Sequence, residues 1–173
     1  MWSKGVSGVS IDQIAEEQGV TKQALLYHFG SKRKLYGEIL KGVSDRLVSD
    51  VIQIQGSIED PAEQLEALVL NHLTVQLDHT EEAKLLMREL LDNQERAEYA
   101  ANWFLKPYLD ALVAILLKIE GKGSLAPSEA LAMVYQFIGA ANYIAVSKPT
   151  LKQMFGKKAF SEMELSYPEQ LRQ

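Results

Sequence analysis

The 173-residue chain contains no cysteine. Disulfides, thiolate zinc sites and cysteine nucleophiles are therefore excluded, and the composition suits a reducing compartment. Only five prolines are present, and the longest uninterrupted apolar run, residues 111–117, is far shorter than the about 20 residues of a membrane-spanning helix. The first residues carry no secretory signal pattern. These absences lead us to expect a cytoplasmic protein with no membrane partner.

The sequence also lacks the motifs of the enzymes and metal proteins that an all-helical chain would suggest. It has no Glu-x-x-His, the ligand pair of di-iron bundles, no glycine-rich phosphate loop and no Gly-x-Ser-x-Gly. His72 and His79 lie seven residues apart, whereas a helical metal pair prefers three or four. We therefore expect no catalytic residues, no metal site and no cofactor.

What is present is typical of one ordinary globular protein, with 47% hydrophobic and 24% charged residues. The net charge is −5, but it is unevenly distributed: residues 1–50 carry +1 and the remainder −6. Three bases stand together at residues 32–34. A basic run is usually a solvated face, so this cluster by itself leaves a polyanion partner open.

Capping residues and apolar periodicity predict helices throughout and no strand. Thr21 is expected to cap a helix that ends at Phe29 before Gly30. A longer helix should run from Ser31 to about residue 55. Its apolar residues recur every four positions: Leu35, Ile39, Val43 and Leu47.

Prolines and glycines predict the remaining boundaries. Asp60 and Pro61 form a helix start signal. Pro107 should kink a helix over 94–119, because it lacks a backbone donor and its ring clashes with the preceding turn. The last predicted boundaries are a helix over 127–147 stopped by Pro149, and two short helices that meet at Gly156.

Two short helices joined at Gly19 fit a helix-turn-helix, which places the N-terminus of its second helix in the major groove. The run GVTKQALLYHFGSK, preceded by IAEEQ, closely resembles the signature of TetR-family transcriptional regulators, and the resemblance covers about residues 4–47. It implies an all-α protein with a helix-turn-helix DNA-binding domain over 1–47 and a larger helical effector-binding and dimerisation domain over 48–173. The DNA-binding residues implied are Thr21, Lys22, Gln23, Leu26, Tyr27, His28 and Lys32.

Some of these positions have other readings. Tyr27 could equally be a core ring with its hydroxyl at the surface. Leu26 stands where the family commonly has an aromatic residue, so an apolar contact to a thymine methyl is expected there. The family's first helix should end near residue 4, so we expect either a truncated or wrongly started chain, or a small domain that has lost much of its core.

For the larger domain the resemblance implies a cavity for an apolar or amphipathic small-molecule effector, and a homodimer. The candidate ligand-binding residues are His72, Met87, Trp103, Tyr108, Tyr135 and Asn142. Dimerisation is expected at the small group Gly139, Ala140 and Ala141. The leading hypothesis is a ligand-responsive repressor that binds a palindromic double-stranded DNA operator. The alternative is a helical small-molecule-binding or interaction protein that has lost DNA binding.

Overall fold

The computed structural model describes residues 19–80, 83, 84, 86, 87 and 104–172, without the side chains of residues 25, 26, 32, 33 and 36. Every regular element among these residues is an α-helix, as predicted. The helices are α1 (Lys22–Phe29), α2 (Lys32–Ser57), α3 (Pro61–Asp78), α4 (Lys106–Leu116) and α5 (Pro127–Arg172). The first of the two short helices predicted on either side of Gly19 lies outside the described residues.

Helix α1 is bounded by the residues that the sequence predicts. The hydroxyl of Thr21 accepts a hydrogen bond from the Ala24 amide at 3.1 Å, which satisfies a donor of the first turn. Gly19 and Gly30 have φ values of 64° and 73°, a left-handed conformation that glycine adopts without strain. A short, well-delimited helix therefore sits between two sharp turns.

Helix α2 is capped by Ser31, whose hydroxyl accepts from the Lys34 amide at 3.2 Å. Its buried face was predicted correctly at Leu35, Val43 and Leu47, but Ile39 is 37% exposed and Leu40 is buried in its place. A strict spacing of four drifts around a 3.6-residue helix, so one position falls off the face. The helix continues through residue 47, the predicted domain boundary, and ends at Ser57, two residues later than expected.

Helix α3 begins as predicted, with Asp60 accepting from the amides of Ala62 and Glu63 at 2.8 and 2.9 Å. It packs mainly against α5 and also contacts α2 and α4. The side chains of these four helices form the main apolar core, since each contributes fully buried residues such as Leu47, Leu68, Leu112 and Val134. A smaller cluster joins α3 to α5 further along both helices.

The predicted kink at Pro107 is wrong. Residues 104 and 105 form a turn, and α4 begins at Lys106, so Pro107 lies in the first turn of a new helix. The missing amide hydrogen costs nothing there, because first-turn amides have no partner within their own helix. A turn at residues 104 and 105 thus interrupts the predicted helix over 94–119, whose first part, 94–103, lies outside the described residues.

The predicted stop at Pro149 is also wrong, because α5 continues through it. The chain breaks at Gly156 instead, with φ 82° and ψ 158°, as expected for that glycine. The two halves of α5 then pack on each other through a Lys148–Glu164 ion pair at 2.5 Å and a hydrogen bond of 3.2 Å from the Tyr167 hydroxyl to the Ala140 carbonyl. These contacts hold the segment around Pro149 against the cost of an internal proline.

By length and composition α5 contains an 18-residue window apolar enough to cross a membrane, with a mean hydropathy of 1.3. One side of that window packs into the protein core, through residues such as Val134, Ile138 and Ile144. The other side is exposed and uncharged. Core helices of globular proteins have the same composition, so this window by itself is weak evidence for a membrane span.

Candidate nucleic-acid interface and ligand site

The exposed side of α1 carries polar and aromatic groups that could reach a groove. Thr21, Lys22 and Gln23 are all exposed at the start of the helix, and His28 is exposed at its end. Tyr27 is 94% exposed, which excludes the reading of Tyr27 as a core ring. Lysine and glutamine can read guanine and adenine edges, and tyrosine and histidine can reach phosphates.

The charge around α1 favours a polyanion although the whole chain is acidic. Residues 18–37 contain four basic and no acidic residues, whereas the net charge of the protein is −5. Among these bases, Lys22 and Lys34 are exposed. The backbone of Lys32 begins α2, but its side chain and that of Leu26 lie outside the described residues, so those two predictions stay predictions.

Phe29 lies at the end of α1 beside a cleft. Its ring is half-buried and meets the His28 ring edge-on, with centroids 4.7 Å apart. Both rings line a cleft of about 680 Å³ that also includes Lys34, Lys41 and Phe104. The Ser44 hydroxyl donates a hydrogen bond to the Phe104 carbonyl, which ties α2 to the turn before α4. The cleft is thus lined by α1, by α2 and by the turn before α4.

The second candidate site is a buried polar cluster between α3, α4 and α5. The Nε2–H of His72 donates to Oδ1 of Asn142 at 3.1 Å, and both side chains are buried. The His72 ring stacks on the Tyr108 ring, with centroids 5.8 Å apart and planes 27° apart. Burial raises the pKa of the Tyr108 hydroxyl, and the negative charge of Asp50 raises it further. The structure thus brings together three of the six predicted ligand residues.

Gln76 belongs to the same region and was missed from the sequence. It lies one helical turn after His72 on α3 and is fully buried. Neither its amide nitrogen nor its amide oxygen has a hydrogen-bond partner among the described residues. Its spacing of four from His72, on an apolar helix face, was the available signal.

The other three predicted ligand residues are not brought into this cluster by any described contact. Met87 is half-buried, and Tyr135 is 49% exposed on α5. Trp103 lies outside the described residues. Among the residues that the structure describes, no group of three His, Asp or Glu side chains could hold a metal ion.

The predicted dimerisation group is split between surface and interior. Gly139 is exposed, Ala140 is half-buried, and Ala141 is fully buried against Leu73 and Ile144. Gly139 lies in an exposed stripe along α5, which we call the α5 stripe. Its members share one side of the helix: Ala132, Tyr135, Gly139 and Tyr143.

Comparison with known proteins identifies the N-terminal part of the chain. Residues 1–39 match the family described as bacterial regulatory proteins, tetR family. Together with the all-helical fold and the capped, exposed α1, this match defines a helix-turn-helix DNA-binding protein that regulates transcription. No solved structure gives a significant match.

The curated relatives are regulators of the same kind. The HTH-type transcriptional regulator RutR of Escherichia coli K12 is 24% identical over 152 residues, which cover 88% of this chain and 71% of RutR. The HTH-type transcriptional repressor KstR2 of Mycobacterium tuberculosis H37Rv is 25% identical over 145 residues, 83% of this chain and 72% of KstR2. The HTH-type transcriptional activator FasR of Mycolicibacterium smegmatis is 38% identical over 66 residues, 38% of this chain and 30% of FasR. The family match and these relatives support a transcriptional regulator of the TetR type.

Proposed function

We propose that the protein is a cytoplasmic, ligand-responsive repressor that binds a palindromic operator as a homodimer and is released by a small effector. The observation that carries the DNA-binding part is α1, a capped helix whose exposed side bears Lys22, Gln23, Tyr27 and His28. TetR-family regulators are generally non-enzymatic, and we propose no catalytic activity for this chain.

In this proposal the first turn of α1 enters the major groove. Lys22 and Gln23 then contact base edges, while Tyr27 and His28 contact phosphates on either side. Thr21 keeps the helix end intact, which holds Lys22 and Gln23 in register. The family resemblance adds Leu26 at a thymine methyl and Lys32 at a phosphate.

The buried polar cluster is the proposed effector site. Tyr108 stacks on His72 and lies four residues after Phe104, whose carbonyl accepts the Ser44 hydrogen bond. An effector that moves Tyr108 would therefore shift the turn before α4 and, through Ser44, the orientation of α2. Because α2 carries α1 on its N-terminal end, the spacing of two recognition helices in a dimer would change.

The α5 stripe is the proposed dimer surface. Residues 130–147 contain no charged residue, and the outer side of this segment is exposed in the single chain. Tyr143 is 68% exposed, and Gly139 between the two tyrosines would let a partner helix approach closely. A second copy would cover this uncharged surface.

DNA binding can be tested by fluorescence anisotropy with the gene's own upstream region over a series of salt concentrations. We expect Lys22→Ala to weaken binding by about 1–3 kcal/mol and to relax the preference for the operator sequence, because one contact to a base edge is lost. Lys118→Ala is the matched control, since Lys118 is an exposed lysine just after α4, far along the chain from α1. It should leave both quantities unchanged.

Absence of any binding at low salt would contradict the proposal and favour a helical ligand-binding protein without DNA affinity. A Lys22→Ala variant that binds DNA like the wild type would contradict the assignment of α1 as the DNA-binding helix.

A further inference from the structure

We infer that the effector is a neutral molecule that presents an amide-like pair, one hydrogen-bond donor beside one acceptor, to the side chain of Gln76. This inference rests on the proposed effector site and specifies its chemistry. The determining observation is the carboxamide of Gln76, which is fully buried on α3.

An unpaired buried amide is costly. Burial of such a group without hydrogen bonds is unfavourable, and more than nine in ten buried polar groups in proteins are paired. Both the Nε2 and the Oε1 of Gln76 lack a partner among the described residues. Since Nε2 donates and Oε1 accepts, the complementary group must supply an acceptor and a donor side by side, as a carboxamide or lactam does.

The neighbours of Gln76 on the same side of α3 favour a flat ligand. His72 precedes it by one turn, and the His72 ring stacks on Tyr108. His72 is held by Asn142, so its orientation is set before a ligand arrives. Aromatic faces in a buried site favour a flat, polarisable molecule, because stacking adds to the gain from apolar burial.

The electrostatics favour a neutral ligand over an anion. The charge that acts on Tyr108 is the carboxylate of Asp50. A carboxylate ligand could accept from Nε2 of Gln76, but its second oxygen would then face Oε1, which is also an acceptor and cannot donate to it.

The test uses three probes of the same shape on the whole protein: benzamide, benzoate and toluene. Binding is measured by saturation-transfer NMR and by the shift of the thermal midpoint. We expect benzamide to bind at least about tenfold more tightly than benzoate at pH 7, because a site built for hydrogen bonding rejects an analogue that leaves its groups unpaired. Gln76→Leu should weaken the binding of benzamide about tenfold, and it should leave the binding of toluene unchanged or make it tighter.

Several outcomes overturn the inference: benzoate or toluene binding as tightly as benzamide, no benzamide binding up to its solubility limit, or equal benzamide affinity in Gln76→Leu. If Gln76→Leu does not fold, the comparison of probes on the wild-type protein decides. The proposed function fails separately, in the anisotropy assay without probes. A protein that binds benzamide through Gln76 but binds no DNA would support this inference and contradict the repressor.

Discussion

Helix α3 carries two buried glutamines, Gln64 and Gln76, that differ in their hydrogen bonding. This difference allows a test of whether the amide of Gln76 is unpaired. Gln64 donates from Nε2 to the Ile58 carbonyl at 2.7 Å, whereas Gln76 has no partner for either amide atom among the described residues. Leucine has nearly the volume of glutamine. The pair Gln64→Leu and Gln76→Leu therefore removes the same amide from one satisfied and one unsatisfied position of the same helix.

The expected magnitudes follow from the cost of unpaired polar groups. Gln64→Leu leaves the Ile58 carbonyl without its donor and should lower the free energy of unfolding by about 1–3 kcal/mol. Gln76→Leu removes a buried amide that has no partner in the ligand-free protein, so stability should stay unchanged or rise by up to about 1–3 kcal/mol. The two variants should differ by about 1 kcal/mol or more, which is at least roughly 2–4 °C in the thermal midpoint of a chain this size.

Urea unfolding followed by circular dichroism, without ligand and at one fixed protein concentration, measures both values. The concentration must be held constant because a dimer gains stability by mass action. If Gln76→Leu destabilises the protein as much as Gln64→Leu, then Gln76 is satisfied within the ligand-free protein, and the reasoning about its unpaired amide is refuted.

Three further predictions concern the dimer, the pH dependence and a helix cap. Tyr143→Glu should make the protein monomeric, as measured by light scattering, because it places a charge in the α5 stripe. The control Gln53→Glu, on α2, should leave the dimer intact. A dimeric Tyr143→Glu variant would exclude the α5 stripe as the dimer surface. Burial raises the pKa of Tyr108, so the hydroxyl loses its proton at lower pH in the unfolded chain than in the folded one, and the free energy of unfolding should fall as the pH rises above about 10. Tyr108→Phe should make this fall with pH shallower. An unchanged fall with pH would refute the raised pKa of Tyr108. Asp60→Ala should lower the free energy of unfolding in urea by about 0.5–2 kcal/mol, because two capping hydrogen bonds are lost. The control Ser57→Ala should lower it by less than about 0.5 kcal/mol. Equal effects of the two substitutions would contradict the capping role of Asp60.

Local signals predicted the ends of several helices correctly. The cap at Thr21, the glycine at 30 and the start at Asp60 each depend on hydrogen bonds or dihedral angles within a few residues, so the residue type alone carries the information. The two proline predictions failed because proline has the same local chemistry in a first turn as in an interior, and only the path of the chain distinguishes them. Pro107 begins α4, and Pro149 is carried within α5 by contacts between its two halves.

The candidate binding residues show the same difference between what local sequence predicts and what only the fold decides. The run over residues 19–32 was enough to show a resemblance to TetR-family regulators, because the motif that carries it is contiguous in the sequence. The buried polar cluster could be found only from the tertiary structure, since His72, Tyr108 and Asn142 come from three helices and their contacts depend on how those helices pack. Gln76 shows the reason most plainly: whether a buried amide is satisfied depends on groups far away in the sequence, and no local pattern reports it.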